Sequence, residues 1–352
     1  MGKREVLEST LKQIKKAYGE GSIMWLGGEG AQTLKVETVP SGSLALDIAL
    51  GVGGIPRGRI IEVFGMESSG KTTLALHMIA EAQRAGGTAA FIDAEHALDP
   101  TYSRALGVDL DHMLISQPNS GEQALEITEQ LTRSGAIDII VIDSVAALVP
   151  TAEIEGQMGD AQVGLQARLM SQAMRKLSSA ISQSNTIVVF TNQMRSMIST
   201  SRFGPSTTTA GGWALKFYAS LRLQMWPSGR IEEGTERVGT HVNVRVVKNK
   251  VAPPFKEATF DVIYGKGIVR SRDLINTGEA LGLVARSGSW YSFGDERLGQ
   301  GIGNSAVALE EDAKLADQLE AAIREKAGWT KDAPSEESSD VQAAEGTEET
   351  EE

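Results

Sequence analysis

The stretch IIEVFGMESSGKTTLALHMIAEAQRA, residues 60–85, decides the fold. It begins with an apolar, β-branched run at 60–64, continues into a glycine loop, and becomes a helical pattern over 71–85 that a glycine pair ends. The loop GMESSGKT, residues 65–72, fits the pattern G-x-x-x-x-G-K-[S/T]. In that pattern, backbone N–H groups wrap a phosphate at the N-terminus of a helix. We therefore predict a phosphate-binding loop between a buried strand and a helix.

Apolar runs downstream extend the same pattern. Three further strands are predicted at 88–92, 137–142 and 186–191, and helical periodicity at 122–134 and 165–182 separates them. Because strands that alternate with helices form a parallel sheet covered on both faces, this part of the chain is predicted to be α/β.

The C-terminal third has a different pattern. Two β-branched runs at 241–248 and 258–264 follow each other without a helix, which predicts an antiparallel extension of the sheet. Beyond them, a short helix at 273–281, a strand at 288–293 and a charged helix at 307–327 predict a small separate domain.

Composition excludes several classes of protein. The chain has 352 residues, 41% apolar and 23% charged, so it can bury a sizeable core. With no cysteine, it forms neither disulfides nor thiolate metal sites. No apolar run approaches the roughly 20 residues that a membrane helix needs, and no secretory signal begins the sequence. We therefore expect no membrane partner and a cytoplasmic location.

The charge is concentrated at the C-terminus. Of the net charge of −12, residues 331–352 carry −8 and the rest carries −4. Because this end lacks apolar content, it is predicted to be a disordered acidic tail. A mildly acidic body does not by itself indicate nucleic-acid binding, although local basic patches decide that question.

Polar residues that follow the predicted strands suggest a phosphoryl-transfer site. Lys71 is expected to neutralise phosphate charge, and Thr72 with Asp143 is expected to hold Mg²⁺, although an Asp at a strand end is also a common helix cap. Glu95 is a candidate for activating water, or else a solvated turn residue. Gln193 is a candidate for sensing a γ-phosphate, or else a simple turn residue.

Seven motifs carry a resemblance to a known family. They are GMESSGKTT at 65–73, FIDAEHA at 91–97, IIVIDS at 139–144, AMRKL at 173–177, TNQ at 191–193, LKFYAS at 215–220 and VVKNKV at 246–251. Together they resemble the bacterial RecA family of recombinases, from about residue 7 to residue 329. Such a set over nearly the whole chain is highly specific.

The resemblance implies a domain organisation. The expected fold is a P-loop ATPase core with a mostly parallel twisted sheet, an N-terminal helical arm, a small α+β C-terminal domain and the acidic tail. The expected bounds are 1–33 for the polymerisation arm, which contains an amphipathic helix at 3–18, 34–269 for the core, 270–329 for the C-terminal domain and 330–352 for the tail.

The resemblance also assigns nucleotide-site residues. ATP and Mg²⁺ are the implied cofactors, and Glu95 matches the catalytic carboxylate. Asp99 and Tyr102 match contacts on the adenine side, and Lys248 and Lys250 match residues that reach ATP across a subunit interface. The implied phosphate contacts come from the loop, namely Gly65, Met66, Glu67, Ser68, Ser69, Gly70, Lys71, Thr72 and Thr73.

DNA contacts are implied for two loops, at about 155–164 and 194–209. The positions that match phosphate contacts, apolar wedges between bases, and backbone donors are Val163, Arg168, Ser171, Arg175, Arg195, Ile198, Gly211 and Gly212. Without the resemblance, Arg168 and Arg175 are also consistent with a solvated helix face. Lys216 and Phe217 match the subunit interface.

The implied function is that of an ATP-dependent recombinase. Such a protein forms a helical filament with its own copies on single-stranded DNA, pairs that strand with homologous double-stranded DNA, and promotes self-cleavage of the SOS repressor. Two alternatives remain open from the residues: a ring helicase with a similar core, and a structural filament that ATP only switches. Trp213 stands where the family often has Asn. Ile302 stands where the family often has Lys, which leaves the capture of duplex DNA by Arg286 and its neighbours open.

Overall fold

The computed structural model describes residues 2–25, 36–157, 164–196 and 207–329. The chain divides into two compact units, Met1–Glu37 and Thr38–Glu352, which are described separately. The predicted acidic tail, 330–352, lies outside the described residues.

The first unit contains the predicted amphipathic helix. Helix α1 spans Lys3–Tyr18, and its first turn is fastened by a 2.9 Å hydrogen bond that the Gly2 backbone N–H donates to Glu5 Oε2. At the other end, the backbone N–H of Gly19 donates to the Lys15 carbonyl. None of the helix's own residues is buried, and Val6 and Leu7 are exposed. The described residues of this unit therefore do not bury the apolar stripe of α1.

The second unit is built on one large twisted sheet. A small antiparallel pair, β1 (Thr38–Val39) and β2 (Ile55–Pro56), precedes it. The strands of the large sheet, in chain order, are β3 (Ile60–Gly65), β4 (Ala89–Asp93), β5 (Met113–Ser116), β6 (Ile139–Asp143), β7 (Ile187–Ser196), β8 (Thr207–Thr209), β9 (Leu221–Glu233), β10 (Glu236–Asn249), β11 (Glu257–Ile263) and β12 (Gly267–Ile268).

The order across this sheet is β12-β11-β10-β9-β3-β7-β6-β4-β5, with β8 paired to the end of β7. Strands β9, β3, β7, β6, β4 and β5 are parallel neighbours, and β9 to β12 form antiparallel pairs. The α/β prediction and the predicted antiparallel extension are confirmed. The sequence prediction missed β5, β8, β9 and β12, and β7 continues past residue 191, where the prediction ended it.

Helices lie on both faces of the sheet. They are α2 (Leu44–Leu50), α3 (Lys71–Arg84), α4 (Pro100–Ala105), α5 (Gly121–Ser134), α6 (Thr151–Ile154), α7 (Leu165–Ser184) and α8 (Ala214–Tyr218). Along β6, Ile139 and Val141 join the core cluster that contains α3, whereas Ile140 and Ile142 join the cluster that contains α7. A strand buried on both faces explains why this run is continuously apolar.

Strand register brings the predicted site residues to one edge of the sheet. Gly65 at the end of β3 is paired with Gln193 on β7, and Asp93 at the end of β4 is paired with Asp143 at the end of β6. Because these strands are parallel, their carboxyl ends and the loops after them meet on the same side, which is where open α/β sheets bind ligands.

The C-terminal part of this unit is a small helix-and-sheet assembly. Its elements are α9 (Arg270–Ala280), β13 (Val284–Ser287), β14 (Trp290–Phe293), β15 (Glu296–Gln300), α10 (Gly301–Glu311) and α11 (Ala313–Lys326). The prediction of a single helix at 307–327 is wrong. The chain breaks at Asp312, whose Oδ1 accepts hydrogen bonds from the backbone N–H groups of Lys314 and Leu315 and so starts a new helix. Among the described residues, no helix is both long and apolar enough to cross a membrane.

Candidate active site

The phosphate-binding loop joins β3 to α3 as the sequence predicts. Gly70 precedes the helix with φ +86°, and Ser68 also has a positive φ of 57°. At Gly65, a Cβ atom would lie 2.2 Å from the Met225 carbonyl oxygen and 2.8 Å from Ser69 Oγ. Only glycine therefore fits where the loop leaves the sheet beside β9.

The polar groups of the loop fit a nucleotide phosphate. Ser69 is fully buried, and its Oγ has no hydrogen-bond partner among the described residues. The Lys71 ammonium folds back over the loop and donates a 2.7 Å hydrogen bond from Nζ to the Met66 carbonyl. Burial lowers the pKa of Lys71, and the carboxylates of Asp143, Glu95 and Glu67 oppose that shift. Phosphate oxygens bound here would supply acceptors to both groups.

Thr72 and Asp143, the predicted metal pair, are in direct contact. Thr72 Oγ1 donates a 2.6 Å hydrogen bond to Asp143 Oδ2, and Thr191 Oγ1 donates to the other carboxylate oxygen. Burial raises the pKa of Asp143, and its two hydroxyl partners and Lys71 oppose this. Hydroxyl and carboxylate oxygens suit Mg²⁺, which normally keeps several waters and phosphate oxygens as further ligands. In the described ranges no cluster of three or more acidic, His or Cys side chains forms a separate metal site.

Glu95 and Gln193, which the sequence left open as either site residues or turn residues, are also in contact. Gln193 Nε2 donates a 3.0 Å hydrogen bond to Glu95 Oε1, and Ser144 Oγ donates to the same oxygen. Ser144 follows Asp143 through a cis peptide bond. Because the side chains of Glu95 and Gln193 are exposed, water reaches the carboxylate. The edge of the sheet thus combines the predicted phosphate loop, the predicted metal pair and an accessible carboxylate.

The two residues implied for the adenine side, Tyr102 and Asp99, make different kinds of contact. Tyr102 Oη lies 3.0 Å from Thr73 Oγ1, which ties it to the end of the phosphate loop. Asp99 caps helix α4, since its Oδ1 accepts hydrogen bonds from the backbone N–H groups of Thr101 and Tyr102. Asp99 therefore has a structural role in orienting Tyr102.

Comparison with known proteins agrees with this geometry over nearly the whole chain. The model of the RecA N-terminal domain matches residues 5–269, and that of the RecA C-terminal domain matches residues 272–328. The chain belongs to the RecA family. As a member, it is a DNA-dependent ATPase and a recombinase, which forms filaments on single-stranded DNA and exchanges strands with homologous duplex DNA.

Several curated RecA proteins are similar over almost their full length. That of Caldanaerobacter subterraneus subsp. tengcongensis is 59% identical over 323 residues, which covers 92% of this chain and 94% of the relative. That of Rubrobacter xylanophilus is 57% identical over 328 residues, with coverages of 93% and 94%. That of Halalkalibacterium halodurans is 58% identical over 339 residues, with coverages of 95% and 96%.

The four residues that the resemblance assigns to a subunit interface form one surface cluster. Lys248 Nζ donates hydrogen bonds of 2.7 Å and 2.8 Å to the carbonyls of Lys216 and Phe217, and Lys250 Nζ lies 3.5 Å from the Phe217 carbonyl. Trp213 stacks against Phe217 with ring centroids 6.1 Å apart, and Lys216 Nζ lies 4.7 Å over the Trp213 ring. The cluster, which we call the lysine cluster, joins α8 to β10.

The glycine pair implied for DNA binding is closely packed. Gly211 and Gly212 have φ of +82° and +76°. Added Cβ atoms would lie 2.8 Å from the side chains of Val145 and Ala167, respectively. The pair therefore packs closely against Val145 and α7, with Gly211 buried and Gly212 half-buried.

The remaining predicted DNA contacts lie on α7 and at the end of β7. Arg168 and Arg175 are exposed, and Ser171 Oγ donates to the Ala167 carbonyl within the helix. Arg195 is exposed on the part of β7 that pairs with β8, so the ends of the proposed 194–209 loop are strands. Val163 and Ile198 lie outside the described residues.

Sequence reasoning missed the polar side chains beneath this edge. Thr191 and Ser144 hold Asp143 and Glu95, and a separate buried group consists of Glu62, Asn192 and Arg222. The signal in the sequence for this group was Glu62, a charged residue in the otherwise apolar run of β3. Which partners it meets follows from the strand order, and the sequence does not show that order.

Proposed function

We propose that this edge of the sheet binds ATP and Mg²⁺ between neighbouring copies of the chain, and that the bound nucleotide controls how tightly the filament holds DNA. The observation that carries the proposal is the hydrogen bond from Gln193 to Glu95. It joins the carboxylate that faces the phosphate loop to the strand that leads into the second DNA loop.

The chain's residues have defined tasks in hydrolysis. When bound, ATP supplies the phosphoryl group and Mg²⁺ neutralises part of its charge. The loop from Gly65 to Thr73 would hold the phosphates, Thr72 and Asp143 would hold the metal, and Tyr102 with Asp99 would border the base. Glu95 would orient the attacking water and accept its proton, since its carboxylate is exposed to solvent beside the loop.

The lysine cluster supports contact between subunits. Lys248 and Lys250 would reach the phosphates of a neighbouring subunit and supply positive charge, as an arginine finger does in other ATPases. In the isolated chain Lys248 already donates to two carbonyls of α8, so its Nζ and the Lys216–Phe217 segment would act together. The arm at 1–33, whose helix leaves its apolar stripe uncovered, would dock on a neighbouring copy.

DNA binding is proposed for one face of α7 and the segments beside it. Arg168, Arg175 and Arg195 would contact phosphates, and Gly211 and Gly212 would offer backbone N–H groups. Further contacts are proposed for Ser171 and, in the two loops, for Val163 and Ile198. Because phosphate contacts do not distinguish sequences, binding should be sequence-tolerant and sensitive to salt.

Other assignments follow from the family. The core at 34–269 would hold nucleotide and single-stranded DNA, the domain at 270–329 would help to capture double-stranded DNA, and the tail at 330–352 would compete with DNA for basic surfaces. The SOS repressor is the proposed protein partner. Because the substrate is bacterial DNA, we propose that the protein acts in the cytoplasm.

The test is ATP hydrolysis with and without single-stranded DNA over a range of salt concentrations. The proposal predicts strong stimulation by DNA that declines as salt rises, because salt weakens the phosphate contacts. Hydrolysis that is indifferent to DNA at every salt concentration contradicts it.

A further inference from the structure

A charged residue is buried in the middle of the central sheet. Glu62 lies on β3 with no exposed surface, between the core residues Ile61 and Val63. Its carboxylate accepts hydrogen bonds from two neighbouring strands, from Arg222 Nε on β9 at 2.5 Å and from Asn192 Nδ2 on β7 at 2.9 Å. A buried ion pair usually adds little net stability compared with apolar side chains of the same size. The position of Glu62 therefore calls for another explanation.

One partner of Glu62 connects it to the lysine cluster. The Arg222 guanidinium lies 4.6 Å over the Phe64 ring, and only a sixth of its side chain is exposed. Burial is the main reason why the pKa values of Lys216 and Lys248 are lowered; the positive charge of Arg222 adds to this, and the negative charge of Glu62 opposes it. Arg222 on β9 is paired with Lys248 on β10 in the register of these two strands, so the Glu62–Arg222 pair lies beside the lysine cluster.

The other partner, Asn192, connects Glu62 to Gln193 and to the glycine pair, the two ends of the proposed path from nucleotide to DNA. Asn192 Nδ2 also donates a 3.0 Å hydrogen bond to the carbonyl of Ala210, which directly precedes the glycine pair. Asn192 Oδ1 accepts a 2.9 Å hydrogen bond from the backbone N–H of Gln193. The Asn192 side chain therefore fixes the sensor residue and the start of the glycine pair to one carboxylate.

We propose that Glu62 is a positioning residue that couples the nucleotide site to the DNA-binding segment and to the lysine cluster. The inference rests on the proposed function above. A shift of Gln193 moves the Asn192 backbone, and because the Asn192 side chain is held by Glu62 and Ala210, the shift is passed to the glycine pair and to Arg222. Among the described residues, the Glu62 carboxylate accepts hydrogen bonds from Asn192 and Arg222, and from neither the phosphate loop nor the glycine pair. Its loss should reduce the coupling and spare the chemistry.

The decisive variant is Glu62→Gln, which keeps the shape and an acceptor for Asn192 but removes the charge that Arg222 needs. Oligonucleotide affinity is measured by fluorescence anisotropy with and without ATP, and hydrolysis is measured without DNA. We expect DNA-independent hydrolysis and ATP affinity to be unchanged. The ratio between the two oligonucleotide affinities should fall by roughly fivefold or more, which is the lower end of typical allosteric coupling.

Asp138→Asn is the matched control, because it breaks another partly buried ion pair, 2.7 Å from Arg57, just before β6 and away from the site. Unfolding midpoints are recorded for both variants. If Glu62→Gln lowers the midpoint as Asp138→Asn does and keeps the wild-type affinity ratio, the inference is overturned and Glu62 is merely structural.

Variants of Arg222 keep the test decisive if Glu62→Gln fails to fold. Arg222→Lys retains the charge and should keep more of the coupling than Arg222→Gln does. Equal coupling in both Arg222 variants and the wild type overturns the inference. If the wild-type protein has the same oligonucleotide affinity with and without ATP, the proposed function itself is overturned. That result is distinguishable from a failure of the Glu62 inference, in which the variants keep the wild-type ratio.

Discussion

Gln193 Nε2 lies 3.0 Å from Glu95 Oε1, although the two residues are 98 positions apart in the chain. One follows β4 and the other lies on β7, and the parallel strands β4, β6 and β7 bring them to the same edge of the sheet. The contact gives a carboxylate that faces the phosphate loop a direct connection to the strand that leads toward the glycine pair.

Glu95→Gln should slow ATP hydrolysis by roughly 100-fold or more, which is the usual contribution of a general base. ATP binding should persist, because the phosphate loop and the Thr72–Asp143 pair are unchanged. Turnover and nucleotide affinity are measured on the same preparation, with Glu126→Gln on the exposed face of α5 as the control. Normal turnover in Glu95→Gln would reject the assignment.

Gly65→Ala should destabilise the loop, because its Cβ would lie 2.2 Å from the Met225 carbonyl. Overpacking of this kind typically costs about 1–3 kcal/mol. Chemical unfolding should show the loss, and nucleotide affinity should fall with it. Gly21→Ala is the control, since nothing lies within 4 Å of that position. Unchanged nucleotide affinity in Gly65→Ala would argue against the fit described for the loop.

The sequence predicted those features that depend on local pattern. The bounds of α1, the strand–loop–helix at 60–85 and the roles proposed for Thr72 and Asp143 follow from periodicity and motif spacing. The predicted helix at 307–327 was wrong because both of its halves are helical in period, and only the cap made by Asp312 separates them. Features that depend on strand order could not be predicted from the sequence.

The Glu62 group illustrates that limit. Asn192 and Arg222 lie 130 and 160 positions from Glu62, and the three meet because β7 and β9 both flank β3. Strand β5 was missed for a different reason, since four residues with two exposed apolar side chains, Leu114 and Ile115, give no clear alternation.

Asp47 should make stability depend on pH. Burial, the largest cause, raises its pKa to about 7; Asp273 adds to this, whereas hydrogen bonds from Ser41 and the charge of Arg324 oppose it. Because the folded protein holds this proton more tightly than the unfolded chain, the stabilisation is complete below the unfolded value of 3.8 and is lost as pH rises to about 7.

Asp47→Asn should remove this dependence. Urea unfolding at pH 5 and pH 8 should show that the wild type loses stability relative to Asp47→Asn at the higher pH. The exposed Asp111→Asn variant should not differ from the wild type in this respect. A wild-type protein that gains stability relative to Asp47→Asn between pH 5 and pH 8 would contradict the prediction.

Arg168→Ala should weaken binding to single-stranded DNA about equally for all sequences. The slope of log affinity against log salt should become less steep by about one, because one phosphate contact is lost. Lys176→Ala is the matched control on the same helix, since Lys176 Nζ lies 3.7 Å from Glu129 and is engaged with α5. An unchanged slope in Arg168→Ala would show that this arginine is only part of a solvated helix face.

The most direct test of nucleotide control is the affinity of the wild-type protein for a labelled single-stranded oligonucleotide with ATP, a non-hydrolysable ATP analogue, ADP or no nucleotide. We predict tight binding with ATP and its analogue and weak binding with ADP or none, and we predict that Gln193→Ala removes most of this difference. Equal affinity of the wild type in all four conditions would contradict the account.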